Sequence, residues 1–477
     1  MTAWTIDHKA PTQDASARDT NGTVGRHERA RSRWRLAGAT VGGSRRRSSG
    51  CRLRALPLLA VALVLVALVL APGLPPAGAE SPAAPAAAES SLDPALVAQL
   101  EAALDKGFAA SKMPGVTVGV WIPGKGEWIA SRGVSNRDTN EPMDRANQTK
   151  IGSVTKTLVG TTALQVIGDG QADLTLDDTI DRWYPDFPEA ARITVRMLLN
   201  MSSGIASPGE AQIDRICADP YSTITPDEYI AIGAATPREP YAPGEGFTYS
   251  GVNTFILGRI LEKTTGTDLT TLLNEHLLAP LDMSRSRFAP DGQLTPPLTH
   301  GYSEFCPPSA PVLTDTTDWY NHEAWAAGAM LSTIDDLHTW GVALGEGFGL
   351  TPDMRAARVT DVAPGGSGYG LGVGVRTDPL TGCTMGLSHS GAEPGYGATV
   401  TYFTTTGSVF ALVGNGDGGT GEAFLEVNKA MASVLLSVAD VPPTTSCQAA
   451  PPTTTTTTTA MTPVAVVPVV AQPAFTG

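Results

Sequence analysis

Apolar positions recur with a helical period between residues 92 and 108, where Leu96, Val97, Leu100 and Leu104 share one face. The pattern then switches. GVTVGVWIP, residues 115–123, alternates between glycine and proline boundaries and predicts a strand. Residues 155–167 return to helical spacing through Leu158, Val159 and Val166. LTLDDTIDRWYPDF (174–187) and ITVRMLLNMSSGI (193–205) read as loop, helix and turn. Late in the chain, GYGLGVGV (368–375), GATVTYFTT (397–405) and SVFALVGNG (408–416) are short β-branched and aromatic runs separated by glycine, the signature of strands. A last helical pattern, EAFLEVNKAMASVLLSVA, ends at Ala439. An early strand and helix, a helical middle and late strands predict one mixed α/β domain over residues 92–440, with no internal repeat.

Charge changes the picture at the ends. The 477-residue chain carries a formal −14, but residues 1–79 hold 12 Lys and Arg against 4 Asp and Glu, leaving the remainder at −22. So acidic a body has no electrostatic reason to bind nucleic acid. Arg45, Arg46, Arg47, Arg52 and Arg54 lead into an apolar run from Leu56 to Ala71, closed by Pro72 and followed by Ala77-Gly78-Ala79 before Glu80. This order predicts an export signal over residues 1–79 and a secreted protein. The run falls short of the roughly 20 apolar residues of a membrane span. Residues 80–91 form an Ala/Pro-rich linker. Residues 441–477 are a Thr/Pro-rich flexible tail, suited to cell-wall association.

Four cysteines follow Glu80: Cys217, Cys306, Cys383 and Cys447. In an oxidising compartment they predict disulfides, and of three connectivities the sequential one, Cys217–Cys306 with Cys383–Cys447, is preferred. The seven histidines form no HExxH cluster and no cysteine pair has metal-ligand spacing, so neither metal nor cofactor is implied.

No G-x-S-x-G nucleophile elbow is present. IGSVTKTLVG, residues 151–160, instead offers Ser153 and Lys156, one turn apart if a helix starts after Gly152. Such a serine either caps the helix or uses the free N–H groups there to hold an oxyanion, with the lysine accepting its proton. Two further segments bear on the choice. In PGEGFTYSGVNTF, Tyr249 precedes an apolar helix, and in LSHSGAEPGYG, His389-Ser390-Gly391 sits at the edge of the glycine-rich strands.

In the order SxxK, YxG, HxG, these residues resemble the penicillin-recognising serine hydrolases: class C β-lactamases, D-alanyl-D-alanine carboxypeptidases and related esterases. LTLDDTIDRWYP, LLNMSSGI, PLDMSRSRF, AAGAMLSTIDDL and PGYG extend the likeness over nearly all of 92–440. The resemblance implies an α+β fold, an antiparallel sheet flanked by helices with a helical subdomain, and an active site between them. It also implies acyl transfer. Ser153 attacks a carbonyl, while Lys156 and a Tyr249 of depressed pKa share the base role. The N–H groups of Ser153 and Ala392 form the oxyanion hole, Gly391 and Ser390 flank it, and His389 contacts substrate and the Tyr249 hydroxyl. Trp325 matches a position that often lines the pocket in such proteins, with core packing as the equal alternative. The expected substrate is a small molecule or peptidoglycan-type peptide and the expected state a monomer. The expected activity is D-Ala-D-Ala carboxypeptidase-like, with a carboxylesterase and then a class C-type β-lactamase as alternatives. A non-catalytic penicillin-binding module ranks last because Ser153, Lys156 and Tyr249 are all present. One position departs from the pattern. Relatives read Tyr-Ser-Asn where this chain has Tyr249-Ser250-Gly251, so the amide that holds the substrate's peptide bond is missing.

Overall fold

A computed structural model describes residues 89–438, apart from 171, 305, 307–312, 322–323, 378–383 and 417–422. The expected export signal, the tail, most of the linker, Cys383 and Cys447 lie outside the described residues.

The first helix, α1 (Pro94–Ser111), begins where Asp93 accepts from the N–H groups of Ala95 and Leu96 and Pro94 occupies the first turn. Its apolar stripe buries Leu100 and Leu104. Seven strands follow the central sheet: β1 (Glu89–Ser90), β2 (Gly115–Ile122), β3 (Gly126–Asn136), β4 (Gly374–Thr377), β5 (Thr384–Glu393), β6 (Tyr396–Phe403) and β7 (Ser408–Gly414). Their spatial order is β1-β3-β2-β7-β6-β5-β4, antiparallel throughout, and the short strand Glu141–Pro142 pairs with β3 off this path. The N-terminal hairpin is thus stitched to the C-terminal meander through β2 and β7, with Val120 opposite Phe410.

Both faces of the sheet are covered. Val116, Val118, Val120 and Ile122 of β2 join a core with α1 and the closing helix α6 (Phe424–Val438), while Trp121 joins a second, larger core beneath the helical region. The alternation read in GVTVGVWIP therefore separates two apolar layers, and all eight residues of β2 are buried. Helices α1 and α6 cross so closely that a Cβ at Gly107 would lie 2.7 Å from the Val427 Cα.

The second core surrounds α2 (Thr155–Gly168), which is buried from Thr155 to Val166. Helices α3 (Glu210–Ala218), α4 (Gly251–Thr265) and α5 (Ile334–Glu346) are further elements of the helical part. Thr225 and Glu228 form a capping box on an additional helix, Pro226–Ala235. A disulfide joins Cys217, near the end of α3, to Cys306, in agreement with the first half of the preferred pairing. Among the described residues no helix is long and apolar enough to cross a membrane.

Two strands escape the sequence pattern. β3 carries polar residues after its buried Trp128, Ile129 and Ala130, so it shows no sustained alternation. β5 is made largely of small and polar residues. Conversely, the strand expected over 368–375 begins only at Gly374, because Gly368 and Gly372 take positive φ of 66° and 76° and interrupt the ladder.

Candidate active site

Ser153 stands in a tight 3-10 turn, Gly152–Val154, that runs directly into α2. Hydroxyls on the following residues hold this turn. Thr155 donates to the Gly152 carbonyl at 2.6 Å and accepts from the Met330 N–H at 3.1 Å; Thr157 donates to the Val154 carbonyl at 2.7 Å and accepts from the Trp340 indole at 2.8 Å. The turn is pressed against the end of β5. Gly152 has φ +49°, and a Cβ there would lie 2.7 Å from the Ala392 nitrogen. A Cβ on Gly391 would collide with the Ile151 carbonyl and come within 2.7 Å of the Ser153 nitrogen. Glycine at both places lets two backbones meet, which brings the Ser153 and Ala392 amides to one side of the pocket.

One helical turn on, the Lys156 Nζ donates to the Ser153 Oγ at 2.9 Å and to the Ala327 carbonyl at 2.7 Å. It also lies 4.9 Å from the centre of the Tyr249 ring. Burial lowers its pKa to about 7, with the nearby Glu393 opposing. A substantial fraction is therefore neutral amine near neutrality, the form that can accept the serine proton.

Tyr249 is half-buried with its hydroxyl enclosed. Here the structure corrects an expectation. Burial raises the phenol's pKa, Glu393 adds to the rise, and interaction with the Ser153 hydroxyl only partly offsets it. The resting group is a phenol, not a phenolate. Lys156 is too well desolvated to stand beside it as a permanent cation.

Ser153, Lys156, Tyr249, Gly251 and Ala392 line one cavity of about 270 Å³. Gln212, Ile213 and Ile216 of α3 form one wall, and Trp319 and Tyr320 contribute apolar surface. Gly251 is the first residue of α4 and is not among the residues with positive φ. A Cβ there would meet Ala327 at 3.4 Å and the Tyr229 hydroxyl at 3.8 Å, so a side chain fits. Asn253 does not replace the missing amide: it is fully buried, accepts from Ser203 at 2.6 Å and donates to the Ser250 carbonyl at 3.2 Å.

Three expected residues are placed differently from the others. His389 is 2 % exposed and does not line this cavity. Its Nδ1–H donates to the Ser390 carbonyl at 2.5 Å, and its Nε2 is hydrogen-bonded to the Tyr369 hydroxyl at 3.0 Å. The ring thus braces Tyr369, whose own ring meets Tyr249 edge-on at 6.0 Å. Ser390 lines a separate small cavity with Thr399, Thr401 and Asn428, on the α6 side of the sheet. Trp325 packs on Phe255 and Phe288 at ring separations of 5.3 and 6.4 Å and takes the core-packing alternative.

Two charged residues enter that the motifs did not announce. Lys150 is 2 % exposed, donates to the Trp319 carbonyl at 2.6 Å, and has its pKa lowered to about 8 by burial. Glu393, one residue past Ala392, has its pKa raised to about 7 by burial, with Lys150 and Lys156 pulling it down. Both line the cavity. The period of two along β5 is the signal that places Glu393 on the same face as Gly391 and His389. Among the described residues no group of three or more His, Cys, Asp or Glu is arranged to hold a metal.

Comparison with known proteins agrees with this geometry. The Beta-lactamase family profile matches residues 97–432. A D-aminopeptidase of Brucella anthropi is 26% identical over 231 residues, 48% of this chain and 42% of that protein. Penicillin-binding protein 4 of Amycolatopsis lactamdurans is 29% identical over 187 residues, 38% of this chain and 46% of that protein. The chain thus matches less than half the length of either curated relative. Among solved structures, the D-amino acid amidase of Ochrobactrum anthropi SV3, complexed with L-phenylalanine amide, superposes with a TM-score of 0.62 at 25% identity, covering 72% of this chain and 98% of the other. With the matched profile spanning well over half its length, the chain belongs to the Beta-lactamase family and is a serine hydrolase of the penicillin-recognising superfamily.

Proposed function

We propose that the protein is an exported hydrolase that cleaves amide bonds of small D-amino-acid derivatives through an acyl-enzyme on Ser153. The observation that carries this reading is the 2.9 Å contact between Lys156 and Ser153 in a pocket that lowers the lysine's pKa to about 7. Ser153 attacks the carbonyl carbon and its proton passes to the neutral Lys156 amine. The oxyanion forms against the Ser153 and Ala392 N–H groups, a placement able to supply several kcal/mol of transition-state stabilisation. As the carbonyl re-forms, the Tyr249 phenol protonates the departing nitrogen and recovers a proton from the Lys156 ammonium. Water then repeats the sequence on the ester. The D-configured substrate class is taken from the D-aminopeptidase and D-amino acid amidase to which the chain is similar.

D-Ala-D-Ala carboxypeptidase-like activity is the same chemistry on a substrate ending in a carboxylate, and the Lys150 ammonium lining the pocket favours it as the second reading. Export is supported by the basic and apolar run before Ala77-Gly78-Ala79 and by the Cys217–Cys306 disulfide, which suits an oxidising compartment. Protein recovered from the culture medium should begin near Glu80; a cell-retained product that starts at Met1 would refute export.

The activity is tested by one panel: D-phenylalanine amide, a D-Ala-D-Ala peptide, a p-nitrophenyl ester and a chromogenic cephalosporin. Wild type should turn over the amide best, and Ser153→Ala should lose both turnover and labelling by a fluorescent phosphonate. Labelling that survives in Ser153→Ala removes that residue from the mechanism.

Because only neutral Lys156 accepts a proton, kcat/KM should rise with pH through about 7 and level off above it. Lys156→Met should lower the rate ~10²–10⁴-fold and abolish this rising limb. A wild-type profile flat through neutrality would exclude Lys156 as the base.

At Gly251 the structure leaves room for a side chain and requires no positive φ. Gly251→Asn should therefore fold, and its amide should shift selectivity from esters towards peptides by about 1 kcal/mol, the worth of one hydrogen bond. An unchanged ester-to-peptide ratio would show that this position carries no specificity.

A further inference from the structure

We propose that the Glu393 carboxylate receives the protonated amine of the substrate's acyl residue, so that the enzyme selects amides carrying a free ammonium on the carbon next to the scissile carbonyl. The assignment rests on the acyl-enzyme reading above and names the group that reads the acyl side.

Position supplies the first argument. Glu393 directly follows Ala392, whose amide borders the oxyanion, and both residues line the cavity with Ser153. An α-ammonium is one carbon removed from the carbonyl held there, so it falls within reach of the next side chain along the strand. The carboxyl extends towards Gly328, where a Cβ would collide with its Oε1. The missing side chain makes the space that the acid occupies.

Availability supplies the second. Lys150 and Lys156 bear on Glu393 electrostatically, yet neither forms an ion pair with it among the described residues. Each donates instead to oxygens elsewhere: Lys150 to the Trp319 carbonyl, Lys156 to Ser153 and the Ala327 carbonyl. The carboxyl is left facing the cavity without a hydrogen-bonded partner among the described residues. A desolvated acid in that condition gains most from a cation that brings its own N–H donors. Burial holds the acid near its titration midpoint at neutral pH, and an arriving ammonium favours the ionised form. A purely structural Glu393, present only to balance the two lysines, would influence every substrate alike.

The test compares D-phenylalanine amide with 3-phenylpropionamide, the same amide without the amine, and with N-acetyl-D-phenylalanine amide, where the amine is neutral. Wild type should prefer the free amine. Glu393→Gln should lower the ratio of kcat/KM between the amine and des-amino substrates about 10- to 100-fold, the effect of losing a hydrogen bond to a charged group, whatever it does to both rates together. Glu393→Asp, which keeps the charge but shortens its reach, should fall between. Phosphonate labelling of Ser153 reports whether each variant keeps its site. A comparison on wild type alone needs no variant: D-phenylalaninol should inhibit more strongly than 3-phenylpropan-1-ol. A ratio unchanged in Glu393→Gln, equal inhibition by the two alcohols, or labelled wild type that does not favour the amine would overturn this assignment and leave the acyl-enzyme standing. Wild type that neither labels nor hydrolyses any of the amides would overturn the proposed function itself, and this assignment with it.

Discussion

Everything in this active site hangs on the close approach of two stretches of backbone, the turn at Gly152–Val154 and the last residues of β5. Neither can retreat. The turn is nailed to α2 by threonine hydroxyls and to the segment around Met330, while β5 is held in register by β6 from Gly386 to Glu393. Only glycine at 152 and 391 allows the contact. The nucleophile's position is therefore fixed by the sheet and by the helical core simultaneously. Packing of this density transmits rather than absorbs displacement, so the large second core matters to chemistry as well as to stability.

The electrostatics follow from the same enclosure. Two lysines and one glutamate share a pocket from which much of the water is excluded, and all three are pushed towards neutrality: Lys156 to about 7, Lys150 to about 8, Glu393 to about 7. In water these groups would be fully charged and chemically idle. Desolvation converts them into groups poised to exchange protons or to pair with a charged ligand at physiological pH. Tyr249 responds to the same burial by becoming a stronger holder of its proton, which divides the labour between an amine that takes and a phenol that gives.

Much of this was legible from the chain. The period of Leu96–Leu104 places α1 within a few residues of its ends, and the spacing of Ser153 and Lys156 names the reactive pair before any fold is known. What pattern could not supply has physical reasons. β5 is small and polar because its task is to let another backbone come near, so it lacks the alternation that marks a half-buried strand. The sequence motif groups His389, Ser390 and Gly391 as neighbours, but a strand sends adjacent side chains to opposite faces, and Ser390 opens on the α6 side. Lys150 and Tyr369 belong to no spacing rule at all. They reach the site from a short strand and from an irregular glycine-rich segment, and only the tertiary structure shows what they touch.

The disulfide between Cys217 and Cys306 has a consequence of a different kind. It links the helix that supplies Gln212, Ile213 and Ile216 to Cys306, which precedes Trp319 and Tyr320 in the chain, and all five of these lining residues border the same cavity. The reacting groups, by contrast, are held by hydrogen bonds and packing in which this disulfide takes no part. Aperture and engine are thus fastened by different means. In a lineage moving between oxidising and reducing surroundings, the girth of admissible substrates could drift while the bond-breaking apparatus stayed the same.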